Sequence, residues 1–168
     1  MESKTSKMGG KEITLIGPEL KVGDKAPDFS AVDTSMTPKS LSDYKSKIKL
    51  IATAPSLDTE VCDTQTRRFN DLALKLGDNI VVLTISMDLP TAQKRWCGAS
   101  GVDHVITLSD HREAAFGKNY GVLIKELRLL NRAVFIIDEN DIIRYIEIVE
   151  ENHNQPNYDK ALEALKSL

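Results

Sequence analysis

Short apolar runs alternate with amphipathic stretches along most of the chain. Residues 48–54 and 79–87 are apolar runs with the length of buried strands. Between them, residues 61–76 carry apolar side chains at helical spacing, and the stretch stops at Gly77, a residue typical of helix ends. The order strand, helix, strand predicts an α/β fold in which helices cover a sheet.

The same pattern extends to both ends of the chain. Residues 1–10 are polar and predict a loose arm, and residues 11–22 predict a small β-hairpin around a Gly-Pro turn. Residues 133–138 and 142–149 predict a second hairpin. The shorter predicted elements are strands at 29–32 and 105–108, a helical turn at 41–44, and helices at 91–97, 112–120 and 156–168. We therefore expect a single domain over residues 11–168, preceded by the arm at residues 1–10.

Length and charge narrow the class of protein. A chain of 168 residues can bury a hydrophobic core without disulfide bonds. Its net charge of −3 and the lack of a basic stretch argue against a nucleic-acid partner. No apolar run is long enough to span a bilayer, and the first dozen residues lack the apolar core of an export signal. We expect a cytoplasmic protein that binds no nucleic acid and no membrane.

The two cysteines, Cys62 and Cys97, are too far apart for a CxxC redox motif. Neither cysteine has metal-ligand spacing relative to the three histidines, so we expect no metal site. In a reducing cytoplasm, a cysteine pair in a domain of this size is more typical of a transient catalytic disulfide than of a structural one.

Cys62 stands near the predicted start of the helix at residues 61–76. The positive end of a helix stabilises a thiolate, which is the reactive form of cysteine. The hydroxyl of Thr59 is near enough in sequence to bond the sulfur or an oxygen bound beside it. Glu60 and Asp63 would oppose ionisation of the thiol, but at a helix start they also interact favourably with the dipole. If they point to solvent, their effect on the sulfur is screened. This context predicts a reactive thiol.

Several segments resemble one known family. The pattern Pro55-x-x-x-Thr59-x-x-Cys62 is the active-site signature of the peroxiredoxins, and its surroundings are similar to the thiol peroxidase subfamily. The matching blocks are residues 56–62 and 68–70, then residues 86–93, 96–98, 105–109, 120–122 and 132–134. The resemblance runs from about residue 11 to the last residue, and it is specific because the separate blocks fall in order.

This resemblance implies a thioredoxin-like α/β fold, with a central mixed sheet flanked by helices and an added N-terminal β-hairpin. It also implies an enzyme without a metal or organic cofactor. That enzyme would reduce hydrogen peroxide and alkyl hydroperoxides, accept electrons from thioredoxin and work as a homodimer.

Carried over by position, the resemblance makes Cys62 the peroxidatic cysteine and Cys97 the resolving cysteine of the same chain. Thr59 and Arg132 complete the site, and Pro55 covers it. Two cysteines on helices need Cα atoms within roughly 7 Å to form a disulfide. We therefore predict that the first turn after Cys62 and residues 92–100 rearrange between redox states.

Three alternatives remain open. Cys97 could serve only in helix-end packing, which would leave a one-cysteine peroxidase resolved by an outside thiol. A redox-sensing module that passes its disulfide to a partner protein would need the same activated Cys62. Arg128 competes with Arg132 for the active-site role, although only Arg132 directly precedes a predicted strand, as in the family.

Overall fold

The apolar runs become the middle strands of a mixed sheet in a computed structural model that describes residues 3–168. In chain order the elements are β1 (Ser3–Met8), β2 (Lys11–Ile16), β3 (Ser30–Asp33), β4 (Pro38–Ser40), a 3-10 turn (Leu41–Tyr44), β5 (Ile48–Thr53), α1 (Glu60–Ala73), β6 (Ile80–Ser86), α2 (Pro90–Ser100), β7 (Ile106–Ser109), α3 (Ala115–Asn119), β8 (Leu123–Ile124), β9 (Leu129–Leu130), β10 (Ala133–Ile137), β11 (Ile143–Ile148) and α4 (Tyr158–Lys166).

Within residues 3–168, seven strands form the central sheet in the order β11-β10-β5-β6-β7-β3-β4. Strands β5, β6 and β7 are parallel, and β10 runs antiparallel to β5. Every residue of β5 is buried, as expected for a strand covered on both faces. The chain leaves the end of β5 at Thr53 and enters α1 only a few residues later, so the start of α1 lies at this edge of the sheet.

Two apolar layers sandwich the sheet, because successive side chains of a strand point to opposite faces. On one face, Leu50 of β5 belongs to a buried cluster with Phe69 of α1 and Leu165 of α4. On the other face, Ile51 belongs to a cluster with Phe116 of α3. The first layer holds α1 against the sheet and thereby fixes the direction of its first turn.

The N-terminal hairpin is present, but it lies earlier in the chain than predicted. β1 pairs with β2 across Gly9-Gly10, where both residues have positive φ, and not across the Gly-Pro turn of residues 11–22. The loose arm expected at residues 1–10 is wrong for residues 3–8, which form β1; Met1 and Glu2 lie outside the described residues. Because β1 is polar, no apolar pattern predicts it. Backbone pairing with β2 holds this strand in place.

The helix that carries Cys97 is longer than predicted. α2 continues through Gly98 and ends before Gly101, whose φ of 69° is left-handed and typical of a helix end. The prediction that Gly98 stops this helix is therefore wrong. Cys97 lies inside the last turns of α2 and not at its end.

Candidate active site

Cys62 is the third residue of α1, and its side chain is fully buried with a free thiol. Thr59 occupies the N-cap position, but its hydroxyl donates to the carbonyl oxygen of Ser56 at 3.0 Å instead of bonding the helix. Within residues 3–168, no side-chain cap therefore occupies the first backbone N–H groups of α1. These groups and the helix dipole leave a positive field around the sulfur.

Arg132 supplies a full positive charge to the same sulfur. Its Nη2 lies 3.2 Å from Cys62 Sγ, and the arginine is 1% exposed. Its other side-chain partners are uncharged: Gln65 Oε1 at 2.7 Å from Nη1, and the carbonyl oxygen of Asn152 at 3.0 Å from Nε and 2.8 Å from Nη2. In the described part of the chain, Arg132 forms no ion pair with a carboxylate. A buried cation with neutral partners favours an anionic sulfur.

Two polar residues that were not predicted from the sequence, Gln65 and Asn152, hold this guanidinium. Gln65 Nε2 donates to the carbonyl oxygen of Thr53, so Gln65 joins the arginine to the end of β5. Gln65 lies one helical turn after Cys62, a spacing that places both on one face of α1 and could have flagged it. Asn152 lies in a polar segment without periodicity, and no sequence signal marks it.

A cavity of about 330 Å³ adjoins this site. Its walls are formed by Met8, Pro55, Thr59, Glu60, Val61, Arg132, Asn152 and His153. Three of the predicted site residues thus face one space, while the sulfur of Cys62 is buried behind its wall. No role for Met8 or His153 follows from the sequence: His153 resembles an ordinary surface histidine, and only the pairing of β1 brings Met8 to this position.

Cys97 faces another part of the sheet. It is half-buried in α2, and its sulfur lies 3.3 Å from the hydroxyl oxygen of Thr107 on β7. Arg132, which contacts Cys62, directly precedes β10, and β5 and β6 lie between β10 and β7. Three strand spacings amount to about 14 Å. A Cys62–Cys97 disulfide would therefore need a rearrangement, and that rearrangement remains a prediction.

Asp88 joins the segment before Cys62 to the beginning of α2. Its carboxylate accepts hydrogen bonds from the Ser56 hydroxyl at 2.7 Å, the Leu57 backbone N–H at 2.8 Å and the Ser86 hydroxyl at 2.7 Å. Asp88 lies two residues before α2. The loop that carries Thr59 and the helix that carries Cys97 therefore share one anchor.

The remaining charged candidates lie away from the sulfur or are neutralised. The carboxylate of Asp63 pairs with Arg67 one turn later, at 3.0 Å. Glu60 is exposed at the cavity wall. Arg128 donates to the carbonyl oxygen of His111 at 3.1 Å. The structure thus brings Arg132, and not Arg128, to Cys62.

Two negative observations concern the chain between residues 3 and 168. No group of three or more histidine, cysteine, aspartate or glutamate side chains is placed to bind a metal ion there. In the same residues, no helix has the length and apolar character needed to cross a membrane.

The fold and the buried thiol–arginine pair together define a class: a thiol enzyme on a thioredoxin-like scaffold. The family model for Redoxin matches residues 21–162. The thiol peroxidase of Bacillus subtilis is 58% identical over 159 residues, which cover 95% of each chain. The thiol peroxidase of Oceanobacillus iheyensis is 59% identical over 153 residues, 91% of this chain and 93% of the relative.

Solved structures agree with the predicted fold. A peroxiredoxin-like protein from Aquifex aeolicus superposes with a TM-score of 0.91 at 40% identity, covering 97% of this chain and 96% of the other. A thiol peroxidase from Chromobacterium violaceum superposes with a TM-score of 0.87 at 23% identity, which supports the fold alone. The chain belongs to the Redoxin family and, within it, to the thiol peroxidases, which are peroxiredoxin enzymes. The thioredoxin-like α/β fold predicted from the sequence is confirmed.

Proposed function

We propose that this thiol peroxidase reduces hydrogen peroxide and alkyl hydroperoxides at Cys62, with Cys97 as the resolving thiol and thioredoxin as the reductant. One observation carries the proposal: a buried arginine, with no carboxylate partner among the described residues, lies 3.2 Å from the Cys62 sulfur. A thiolate is the nucleophile that peroxide reduction requires, and this arrangement favours it.

In the first step, the Cys62 thiolate attacks one oxygen of the peroxide and the O–O bond breaks. Sulfur is oxidised to a sulfenic acid, and the other oxygen leaves as alkoxide or hydroxide, which takes up a proton to become alcohol or water. Arg132 and the backbone N–H groups at the start of α1 stabilise the charge that develops on the oxygens. The hydroxyl of Thr59 donates to Ser56, so its oxygen is free to accept the hydrogen bond of the peroxide.

Access to the sulfur involves Pro55 and Thr59. Both line the cavity beside Cys62, whereas the sulfur itself is fully buried. A peroxide in the cavity would meet Thr59 and Arg132 first, and a small shift of the segment at residues 55–59 would then bring an oxygen to the sulfur. Pro55 shields the thiolate from bulk water in the meantime.

In the second step, the Cys97 thiol attacks the sulfenic acid, and a disulfide forms with loss of water. Cys97 must leave Thr107 for this attack, and α1 must loosen at its first turn. Thioredoxin, a dithiol, then reduces the disulfide by exchange and is itself oxidised. The cycle suits the cytoplasm, a reducing compartment in which both thiols are regenerated. Family membership supports the reductant and a homodimeric enzyme.

The test is the intact mass of the fully reduced protein after one equivalent of an organic hydroperoxide. Loss of two hydrogens, with both thiols unreactive, supports the Cys62–Cys97 cycle. Gain of one or two oxygens with Cys97 still free would leave a one-cysteine peroxidase. An unchanged mass would contradict the proposed chemistry at Cys62. Sustained turnover with thioredoxin and its reductase separates the enzyme from a redox sensor, which reacts once and stops.

A further inference from the structure

Asn152 accepts three of the N–H groups of Arg132. Its side-chain Oδ1 bonds the Arg132 backbone N–H at 2.7 Å, and its carbonyl oxygen bonds Nε at 3.0 Å and Nη2 at 2.8 Å. The same Nη2 is the atom that contacts Cys62 Sγ. The direction in which the guanidinium points therefore depends on where Asn152 stands.

Asn152 is itself fixed from its other side by β1. The carbonyl oxygen of Lys7 accepts both the backbone N–H of Asn152, at 2.9 Å, and its side-chain Nδ2, at 3.0 Å. The second hydrogen of Nδ2 goes to Asn131 Oδ1 at 2.6 Å. Asn152 is 1% exposed, so water does not compete for these bonds.

Further contacts hold β1 on the segment that ends at Asn152. The buried Ser6 hydroxyl bonds the carbonyl oxygens of Val149 and Glu150 at 3.1 and 2.9 Å. The backbone N–H of Lys7 donates to the carbonyl of Glu150 at 2.7 Å. The hairpin is thus attached to residues 149–152 over consecutive positions.

We propose that Asn152, held by β1, is the positioning residue that aims the Arg132 guanidinium at Cys62. The N-terminal hairpin is then a working part of the active site and not only an addition to the fold. The inference rests on the proposed role of Arg132 in stabilising the Cys62 thiolate. It assigns a positioning role to Asn152 and to β1, and both Asn152 and Met8 of β1 also belong to the wall of the cavity beside Cys62.

The experiment uses the pH profile of Cys62 alkylation by iodoacetamide in a Cys97→Ser protein. Asn152→Ala removes three side-chain hydrogen bonds, and Ser6→Ala removes the buried hydroxyl that fastens β1. For Asn152→Ala we expect a higher pH of half-maximal alkylation and a 10- to 100-fold slower single-turnover reaction with hydrogen peroxide. Ser6→Ala should change the alkylation midpoint and the single-turnover rate in the same directions, but by less.

Matched controls are Asn154→Ala and Thr5→Ala, whose side chains are exposed in the same segment and on the same strand. Both should stay within about twofold of the parent protein. A loss of packing that only opened the site would speed alkylation at every pH and leave the midpoint unchanged. That pattern in Asn152→Ala would overturn the proposal.

Arg132→Met completes a double-mutant cycle with Asn152→Ala. If Asn152 acts through Arg132, its replacement shifts the midpoint in the parent and does nothing further in Arg132→Met. Equal shifts in both backgrounds, or none in the parent, overturn the role of Asn152 alone. If Arg132→Met itself leaves the midpoint unchanged, the proposed role of Arg132 fails first. Thermal melting checks that each variant is folded. If Asn152→Ala does not fold, Ser6→Ala replaces it in the double-mutant cycle with Arg132→Met.

Discussion

The planar guanidinium of Arg132 is held in place by Gln65 and Asn152 and at the same time contacts the sulfur of Cys62. A lysine carries the charge but cannot reach all three partners from a single nitrogen. We expect Arg132→Lys to slow the reaction with peroxide by about 10-fold or more, and Arg132→Met by about 100-fold or more. Single-turnover stopped-flow measurements check both values.

The matched control for this prediction is Arg128→Met. The Arg128 guanidinium donates to the carbonyl oxygen of His111 and, among the described residues, forms no hydrogen bond to the site residues. Its loss should leave the peroxide reaction within about twofold of the wild type. An equal loss in Arg128→Met and Arg132→Met would contradict the assignment of the catalytic guanidinium.

The Thr59 hydroxyl is exposed and does not cap α1, so we expect its loss to cost little stability. Thr59→Val should slow the peroxide reaction by about 100-fold while lowering the free energy of unfolding by less than about 1 kcal/mol. Thr59→Ser keeps the hydroxyl and should retain most of the rate. A Ser variant as slow as the Val variant would show that the methyl group, and not the hydroxyl, matters.

Asp110 gives stability a pH dependence that is separate from the thiol. Burial raises the pKa of this carboxyl group from 3.8 to about 6, although the N–H groups of Gly117 and Phe116 oppose the shift. The folded carboxyl thus holds its proton more tightly than the unfolded one. Unfolding releases a proton between about pH 4 and 6, so the contribution of Asp110 to stability falls as pH rises through this window.

Urea unfolding of the wild type and Asp110→Asn between pH 4 and 7 measures this effect. The free energy of unfolding of the wild type, relative to the variant, should fall by about 3 kcal/mol at most as pH rises. The asparagine has one oxygen for two N–H donors, so a constant offset is expected as well. A difference that does not change with pH would contradict the raised pKa.

At the scale of elements, the proposed Cys62–Cys97 disulfide requires the first turn of α1 and most of α2 to move. Their sulfurs contact Arg132 before β10 and Thr107 on β7, with two strands between. We expect the amides of residues 62–66 and 92–100 to exchange hydrogen faster in the disulfide form than in the reduced form. The amides of β5 serve as the internal control and should not change. Identical exchange in both forms would exclude the disulfide route.

The elements with apolar periodicity can be predicted from this sequence. The active site around Cys62 can be predicted only in part. β5, β6 and α1 follow their apolar patterns, and the resemblance anticipates that Arg132 belongs beside Cys62. β1 could not be predicted, because its place depends on bonds such as that of Ser6 to Val149, 143 positions away. Gln65 and Asn152 are ordinary polar residues until the fold brings them to the guanidinium.

At the scale of the molecule, the two ends of β5 lie at opposite edges of the sheet, one next to a buried ion pair and the other next to the reactive cysteine. Lys49 near the beginning of β5 is fully buried and pairs with Asp141 at 2.5 Å, whereas Cys62 follows the other end of β5. Asp141→Asn suits the left-handed backbone there, with φ of 62°, but leaves the lysine unpaired. We expect a loss of about 3 kcal/mol in unfolding free energy with an unchanged peroxide rate. A slower peroxide reaction would mean that the two edges are coupled.

The attachment of β1 also bears on the order in which the protein is made. Lys7 leaves the ribosome well before its partner Asn152, which follows 145 positions later. A nascent chain therefore carries the Cys62 thiol long before the contacts that direct Arg132 toward it can form. Reactivity would arrive only after Asn152 has been synthesised, so shorter nascent chains would hold a Cys62 that reacts slowly with peroxide.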